Sequence, residues 1–251
     1  TGTLALFKLS KAKKGCIAIK EDKKKQIEDL KKTFEGTPIE IRTVPNFYPM
    51  GWERTLVYEL TGKRYNMLPI EAGMILNNAS TAIALGNAID NGMPITHKYV
   101  TVSGDALKDP KNVYVPVGTK AHEIIEAVGG YKEGVDNVLL IAGGPMMGRT
   151  IPNDAFVIAP QNNGLTVLIN KEEDEVACLR CGRCTTTCPS GLQPVRIAAA
   201  GKSKDEATLN KLHVMDCIEC GLCTYICPSK IAVTENVRRA KNFIRLQGGK
   251  K

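Results

Sequence analysis

Two runs of cysteines with the same spacing constrain this chain more than any other feature of its sequence. The first run is Cys178-Leu-Arg-Cys181-Gly-Arg-Cys184-Thr-Thr-Thr-Cys188-Pro189. The second, from Cys217 to Pro228, repeats its C-x2-C-x2-C-x3-C-P pattern, and a glycine follows the second cysteine of each run. The repeat indicates that this part of the chain folds around two metal centres.

Eight cysteines at this spacing are typical of two [4Fe-4S] clusters. Three sulfurs two residues apart on a tight loop reach three corners of a cubane, and glycine lets the backbone approach the inorganic sulfide. Proline after the fourth cysteine turns the chain away and removes one amide donor. We therefore predict that this region transfers electrons.

In paired runs of this kind the fourth cysteine ligates the other cluster. This sharing would hold two one-electron centres close together, as an electron relay requires. We expect one cluster on Cys178, Cys181, Cys184 and Cys227, and the second on Cys217, Cys220, Cys223 and Cys188.

Zinc is the main alternative, because paired C-x2-C spacings also form structural zinc sites. Four ligands per zinc ion would not require three evenly spaced thiols followed by Cys-Pro. The sequence opens without a charged-then-apolar leader, so we expect a reducing cytosol in which disulfides are rare. The ninth cysteine, Cys16, lies in an apolar strand pattern and is expected to be an ordinary buried thiol.

The length of 251 residues exceeds that of most single domains and predicts two or three compact units. Apolar residues make up 43% and charged residues 24%, as in a soluble globular protein. There is no run of eighteen apolar residues, so we expect no direct membrane insertion.

The net charge is +8, and part of it lies in two basic clusters, at residues 11–32 and 238–251. Aromatic residues make up only 5%, and neither cluster carries the interleaved aromatics of a base-stacking surface, so we expect no nucleic-acid partner. The basic residues fit either the solvated faces of amphipathic helices or a surface that attracts an acidic redox partner. The side chains of Arg180, Arg183 and Lys230 beside the cysteines would stabilise extra electrons on the clusters and help to set their potential. The alternatives are that they dock an acidic partner or have no particular role.

The first part of the chain alternates strand and helix patterns, which predicts an α/β layer with parallel pairing. Asn78 or Ser80 is a suitable cap for the last helix, and Asn91-Gly92 for its end. The predicted strands cover residues 15–20, 39–44 and 73–77, and the predicted helices cover residues 27–34, 52–61 and 78–91.

The middle of the chain reads as a small α+β module. Residues 99–104 and 113–117 alternate with period two across a turn, which predicts a hairpin. Thr119 is placed to cap a helix that ends at Gly129, and a strand is expected at residues 137–142.

After an acidic stretch at residues 171–175, the rest of the chain reads as helical. Helical patterns cover residues 194–200, 204–215 and 233–246. We therefore predict three domains, at residues 1–94, 95–168 and 169–251.

Several segments besides the cysteines carry a resemblance. They are Tyr48-Pro-Met-Gly51-Trp-Glu53-Arg-Thr-Leu56, Leu76-Asn-Asn78-Ala-Ser-Thr81, Val100-Thr-Val-Ser-Gly104-Asp and Gly143-Gly-Pro-Met-Met-Gly148. In this order, ahead of both cysteine runs, they resemble the RnfC family: the C subunit of the Rnf ion-translocating electron-transport complex and its soluble relatives. This family is itself similar to the flavin- and NADH-binding subunit of respiratory complex I.

The resemblance implies a fold of class α/β plus α+β. Its three parts are a partial Rossmann-like flavin/NADH domain, a β-grasp module of the soluble-ligand-binding (SLBB) kind, and an α-helical dicluster ferredoxin-like domain. The β-grasp module is expected to serve mainly as a structural linker.

The resemblance also implies a pocket for FMN and NADH in the first domain. For Asn77 and Asn78 the alternative role is that of a helix cap. Trp52 stands where the family usually has a small or acidic residue. The residues implied in the pocket are Tyr48, Gly51, Glu53, Leu76, Asn77, Asn78 and Thr81.

The glycine-rich flavin loop of the family has no counterpart here, because the sequence starts inside the α/β domain. We therefore expect a fragment that is catalytically incomplete, with FMN and NADH bound by the full-length protein. No Ser/His/Asp set is present, since His97, His122 and His213 are scattered, and no catalytic residue is predicted.

The function expected from the cysteines and the resemblance together is an electron-transfer subunit between an NADH/flavin site and a redox partner. That partner would be a ferredoxin, a flavoprotein or the subunits of a membrane complex, and the chain would lie in the cytoplasm or on the cytoplasmic face of a membrane. The alternatives are a soluble RnfC-like donor to a proline-reductase- or cobalamin-reductase-associated system, and a zinc-stabilised or ligand-binding interaction module.

Overall fold

A computed structural model describes residues 1–65, 68–171 and 174–248. The chain forms two compact units, Thr1–Pro94 and Ile95–Lys251. Two residues of the predicted acidic stretch, Glu172 and Glu173, lie outside the described residues, as does the end of the basic cluster at residues 249–251.

In the first unit, strand β1 (Gly15–Lys20) and strand β2 (Ile39–Val44) pair in parallel, with Gly15 opposite Ile39 and Lys20 opposite Val44. Helix α2 (Lys24–Thr33) connects them. A parallel pair needs such a crossover, so the alternating pattern predicted both the elements and their direction. Parallel pairing is confirmed.

Helix α1 (Gly2–Ser10), which the sequence patterns did not predict, packs against helix α4 (Ala79–Asn91). The two backbones approach each other at Gly2 and Gly86. A Cβ added at Gly2 would overlap the carbonyl of Ala82, so the crossing requires glycine there.

Helix α3 (Glu53–Thr61) begins after Trp52 and ends at Gly62, whose φ of 69° is left-handed, as predicted. The strand predicted at residues 73–77 is wrong. A short 3-10 helix (Pro69–Ala72) ends at Gly73, and Ile75 is 60% exposed. In the described part of this unit only β1 and β2 pair, so the apolar run has no neighbouring strand.

A five-stranded sheet forms the first part of the second unit. Its order is β4-β3-β7-β5-β6, with β3 and β7 parallel and the other neighbours antiparallel. The predicted hairpin is therefore confirmed as β3 and β4. The strands are β3 (His97–Ser103), β4 (Lys111–Pro116), β5 (Val138–Ala142), β6 (Arg149–Ile151) and β7 (Gly164–Ile169).

Helix α5 (Ala121–Ala127) packs on this sheet and buries Ile124 and Ile125 in its core. Its N-cap is Lys120, so the predicted cap at Thr119 is one residue too early. The Thr119 hydroxyl instead donates to the carbonyl of Pro116 at 2.8 Å, which closes the turn after β4.

The rest of the second unit is helical. Helix α7 (Pro194–Lys202) packs along helix α10 (Val233–Gly248), and a Cβ added at Gly201 would lie 2.7 Å from the Cβ of Ala240. Their apolar faces meet in a second core with helix α8 (Glu206–Lys211). The short helices are α6 (Arg183–Thr186), α9 (Leu222–Tyr225) and a 3-10 turn (Val214–Asp216).

The helical segments predicted at residues 194–200 and 233–246 are confirmed, and the one at 204–215 forms as α8 followed by the 3-10 turn. Among the residues that the structure describes, no helix is long and apolar enough to cross a bilayer.

Candidate metal centre

The cysteines lie on two loops with the same backbone, which we call the first loop (residues 178–184) and the second loop (residues 217–223). Arg180 and Glu219 occupy equivalent positions with φ of 55°, and Gly182 and Gly221 follow with φ of 75° and 85°. Each glycine then starts a one-turn helix, α6 or α9. The left-handed residues turn each loop tightly, so that its cysteines point inward.

Backbone amides donate to the first sulfur of each loop. The N–H of Arg180 lies 3.4 Å from Cys178 Sγ, and the N–H of Glu219 lies 3.4 Å from Cys217 Sγ. Amide donors of this kind stabilise negative charge on sulfur, which suits the thiolate form that binds metal.

Each loop faces a cavity to which the other run contributes one cysteine. We call the cavity beside the first loop the first cavity and the one beside the second loop the second cavity. Each is lined by four cysteines and by apolar side chains. This donor set fits a [4Fe-4S] cluster in each cavity. The first cavity has Cys178, Cys181, Cys184 and Cys227, and the second has Cys217, Cys220, Cys223 and Cys188.

These groupings are the crossed sets that the spacing predicted. Cluster ligation itself stays a prediction. Within residues 1–65, 68–171 and 174–248, no three His, Cys, Asp or Glu side chains converge on a site for a single metal ion.

The helices that follow the two runs extend the repeat beyond the cysteines. Pro194 and Val233 each lie six residues after a fourth cysteine and begin α7 and α10. The next residues, Val195 and Thr234, then line the first and second cavities respectively. Aligning the two runs beyond their shared Cys-Pro-Ser would have shown that Val195 and Thr234 occupy matching positions.

Thr234 is a residue of the site that the sequence patterns missed. Its hydroxyl accepts a hydrogen bond from Thr224 Oγ1 at 2.9 Å and lies 3.2 Å from Cys223 Sγ. With Cys223 as a thiol either atom can donate, but a metal-bound thiolate has no proton, so in that form the Thr234 hydroxyl would be the donor.

Burial distinguishes the second loop from the first. Ile218 is 6% exposed and Cys220 is 7% exposed. At the equivalent positions of the first loop, Leu179 is 66% exposed and Cys181 is exposed as well. The same cysteine spacing is therefore covered in one copy and open to solvent in the other.

Burial also raises the pKa of the thiols of the second loop. The pKa of Cys217 rises to about 11, against the lowering effects of the Glu219 amide and the Lys241 ammonium. Burial raises the pKa of Cys220 and Cys223, and the neighbouring Cys188 raises both further. Metal ligation would displace these protons, because the thiolate is the ligand.

An ion-pair network centred on the buried Lys241 holds the second loop against α10. Lys241 is 6% exposed, and its Nζ donates to the Cys217 carbonyl and to Glu219 Oε1, both at 2.7 Å. Arg238 Nε donates to Glu219 Oε2 at 3.2 Å. Burial acts to raise the pKa of Glu219, but the hydrogen bonds and charges of Lys241 and Arg238 outweigh it and lower this pKa.

The sheet part of the second unit covers the second loop with residues 143–148, which we call the covering loop. The carbonyl of Met146 lies so close to Gly221 that a Cβ there would overlap it. The Met147 carbonyl accepts from Arg238 Nη2 at 3.4 Å. Around Gly182 of the first loop, by contrast, an added Cβ would have nothing within 4 Å.

The residues implied in a flavin pocket lie in the first unit, at the starts of two helices. Tyr48, Gly51 and Glu53 precede or begin α3, and Glu53 Oε1 accepts from the Tyr65 hydroxyl at 2.8 Å. Burial and then this hydrogen bond raise the pKa of Tyr65.

Leu76, Asn77, Asn78 and Thr81 lie just before α4 or in its first turn. Asn78 is the N-cap of α4, because its Oδ1 accepts from the N–H of Ser80 at 2.9 Å. The helix-cap role is therefore observed for Asn78, and the flavin contacts stay predictions.

The prediction of a buried Cys16 is wrong. This residue lies on β1 and is exposed. In a sheet of two strands only one face is packed, so an apolar strand pattern does not guarantee burial of every side chain.

Comparison with protein families gives three consecutive matches. The Nuo51 FMN-binding domain matches residues 1–87, the SLBB domain residues 99–150 and the 4Fe-4S dicluster domain residues 170–228. These matches place the chain in the class of proteins that combine an FMN-binding-type domain, an SLBB domain and a 4Fe-4S dicluster domain. The match to a 4Fe-4S dicluster domain does not favour the zinc alternative.

Curated relatives narrow this class to one family. The C subunit of the proton-translocating ferredoxin:NAD(+) oxidoreductase complex of Clostridium ljungdahlii is 35% identical over 206 residues, which are 80% of this chain and 45% of the relative. The C subunit of the Na(+)-translocating complex of Acetobacterium woodii is 33% identical over 192 residues, 74% and 43% of the two chains. The chain belongs to the RnfC family, and it spans less than half the length of these relatives.

A solved structure supports the fold over nearly the whole chain. An NAD+-reducing [NiFe]-hydrogenase, crystallised in the air-oxidised state, aligns with a TM-score of 0.58 at 15% identity and covers 98% of this chain and 50% of the matched chain. The predicted fold class, with its partial flavin domain, SLBB module and dicluster domain, is confirmed.

Proposed function

We propose that this chain relays single electrons between an NADH/flavin site and a redox partner protein through two [4Fe-4S] clusters. The proposed ligands are Cys178, Cys181, Cys184 and Cys227 for one cluster, and Cys217, Cys220, Cys223 and Cys188 for the other. The observation that carries the proposal is the pair of cavities, each lined by three cysteines of one run and the fourth of the other.

A flavin upstream of the clusters gives this relay a chemical reason. NADH delivers two electrons as hydride, whereas a [4Fe-4S] cluster passes one, so a flavin is needed to divide the pair. The match of residues 1–87 to an FMN-binding domain supports this role for the first unit. We propose that Tyr48, Gly51, Glu53, Leu76, Asn77, Asn78 and Thr81 contribute to the FMN and NADH pocket of the full-length protein.

We propose three domains within the chain, with boundaries at residues 94 and 168. The matches to three family models in this order support the division. The β-grasp module would then act as a structural link, since its covering loop packs on the second loop.

The relatives support a place in a larger assembly. Their names describe subunits of ion-translocating oxidoreductase complexes, so we propose that this chain works with other subunits at the cytoplasmic face of a membrane. These names do not favour a stand-alone donor to a soluble reductase.

Anaerobic purification of the full-length protein tests the cluster content. We expect about eight irons and eight sulfides per chain, a brown colour and EPR signals after dithionite reduction. Reduction by NADH with FMN present would support the upstream flavin site. A colourless, zinc-containing protein would contradict the proposal.

A further inference from the structure

The two loops differ in what covers them, although their backbones are alike. The covering loop and α10 lie over the second loop. Around the first loop, every described residue from Asp174 to Arg183 is exposed. Within the second unit, the edge of the first cavity is therefore open to solvent.

The side chains at matched positions differ in charge as well as in exposure. Arg180 stands where the second loop has Glu219, and Arg183 stands where it has Leu222. Leu179, 66% exposed, lies between the first two cysteines of its loop. The first loop thus combines an exposed apolar side chain with two exposed guanidinium groups.

Acidic residues of the same chain lie nearby and modify this surface. Asp174 and Glu175 are exposed and precede Cys178 by a few residues. The sequence has four acidic residues at positions 172–175 ahead of the loop, whereas the two guanidinium groups lie between its cysteines. An approaching acidic protein would be attracted by the loop and repelled by the acidic residues before it.

We propose that the first loop is the docking surface for an acidic one-electron redox protein, with Leu179 at its centre and Arg180 and Arg183 around it. This inference rests on the proposed function, because it assigns the partner's contact to the cluster of the first cavity. Encounters between redox proteins are small and brief, so an apolar side chain within a charged rim is a sufficient contact.

One electron crosses this surface in each encounter. The cluster proposed for the first cavity would lose this electron, and a metal or flavin centre in the acidic partner would gain it. No bond forms between the proteins. A solvent-exposed cluster edge shortens the path for the electron, whereas the covered second loop lies beneath other parts of the same chain.

Association of the full-length, cluster-loaded protein with two probe proteins tests the proposal without any substitution. The probes are an acidic bacterial ferredoxin and a basic cytochrome c, both in the oxidised form, mixed with the protein in its resting state in a stopped-flow or biosensor experiment. We expect the acidic probe to bind, and its association to slow by about tenfold or more as salt is raised. Equal binding of both probes, or no effect of salt, would overturn the proposal.

Substitutions then locate the surface. Arg180→Gln with Arg183→Gln should slow association with the acidic probe by about tenfold at low salt. Asp174→Asn with Glu175→Gln should speed association with the acidic probe, because it removes two repelling charges. Arg245→Ala, at an exposed position in the last turn of α10, removes one guanidinium elsewhere and should leave the rate unchanged.

The outcomes separate this proposal from the proposed function. Iron content and dithionite-reduced EPR spectra show whether clusters are present in each variant. If the clusters form but the loop variants associate at the rate of Arg245→Ala, the docking surface is wrong and the relay stands. If no clusters form in the unsubstituted protein, the proposed function fails first.

Discussion

At matched positions of the two cysteine loops, Leu179 is largely exposed and Ile218 is buried, although both side chains are apolar and follow the first cysteine of a run. The two left-handed φ angles of each loop are nearly equal at matched positions. The cysteine spacing with its glycine therefore determines how each loop turns. What covers a loop is determined elsewhere in the chain.

The cover of the second loop comes from segments far away in sequence. Met146 and Met147 belong to the sheet region, and Lys241 belongs to α10. A tandem repeat has thus become two different sites by contact with different neighbours. A buried cluster and an exposed one suit different tasks, because solvent and nearby charge both set cluster potentials.

The largest expected effect comes from the cysteines that the two runs exchange. On the proposed ligation, Cys188→Ala removes the cluster of the second cavity, so its EPR spectrum should match that of Cys220→Ala. Cys227→Ala should match Cys181→Ala instead. If Cys188→Ala gives the spectrum of Cys181→Ala, the exchange between runs is refuted.

The ion pair of the buried Lys241 gives the next effect. Lys241→Met leaves the Cys217 carbonyl without its ammonium donor and Glu219 without one of its two cations, at a cost of about 3 kcal/mol. Urea unfolding of the cluster-loaded protein, followed by circular dichroism, measures it.

Arg239→Met is the matched control on the same helix. Arg239 pairs with Glu235 at the surface, where a side-chain ion pair contributes about 0.5 kcal/mol. Equal losses in the two variants would show that Lys241 does not stabilise the second loop.

Alanine substitution at the two loop glycines distinguishes the cost of a left-handed φ from the cost of a steric overlap. Both have left-handed φ, so alanine costs about 1 kcal/mol at either position. At Gly221 the new Cβ also overlaps the Met146 carbonyl, and the forced shift adds about 2 kcal/mol. The unfolding free energies of Gly182→Ala and Gly221→Ala measure this difference in stability. Equal values would mean that the covering loop moves aside from the new Cβ without a measurable cost.

The smallest effect is expected from substitutions at Thr234 and Val195, the matching residues that follow the two cysteine runs. Thr234→Val removes the hydroxyl donor to Cys223 Sγ, which costs about 1 kcal/mol and lowers the reduction potential of the second-cavity cluster. Val195→Thr offers a hydroxyl to the first cavity and should raise the potential there. Anaerobic redox titration followed by EPR measures both, and an unchanged potential in Thr234→Val would exclude the hydrogen bond as a determinant.

Much of this architecture could be predicted because local sequence dictates it. The cysteine spacing predicted the two groups of four thiols that line the two cavities, and period-two alternation predicted the β3 and β4 hairpin. Asn78 and Gly62 supplied helix boundaries through their own side chain or torsion. In each case the decisive interaction lies within a few residues.

The wrong predictions concern residues whose pairing or burial depends on segments distant in sequence. The apolar run at residues 73–77 has strand composition, but the described part of its unit offers no further strand to pair with it. Cys16 lies on the exposed face of the two-stranded sheet. In the sequence nothing distinguishes Lys241 from the other basic residues of its helix. Only the fold brings it to Glu219, which lies 22 positions earlier. Burial of a charge depends on tertiary contacts that no local pattern reports.

Helix α10 serves both cavities at once, since Val233 lines the first while Thr234 and Val237 line the second. Destruction of one cluster by oxygen would loosen this shared wall and expose the inorganic sulfide of its neighbour. We therefore expect the clusters to be lost in air as a linked pair, with the solvent-facing one going first and shortening the lifetime of the other. Repair would then have to rebuild both clusters against the same helix wall.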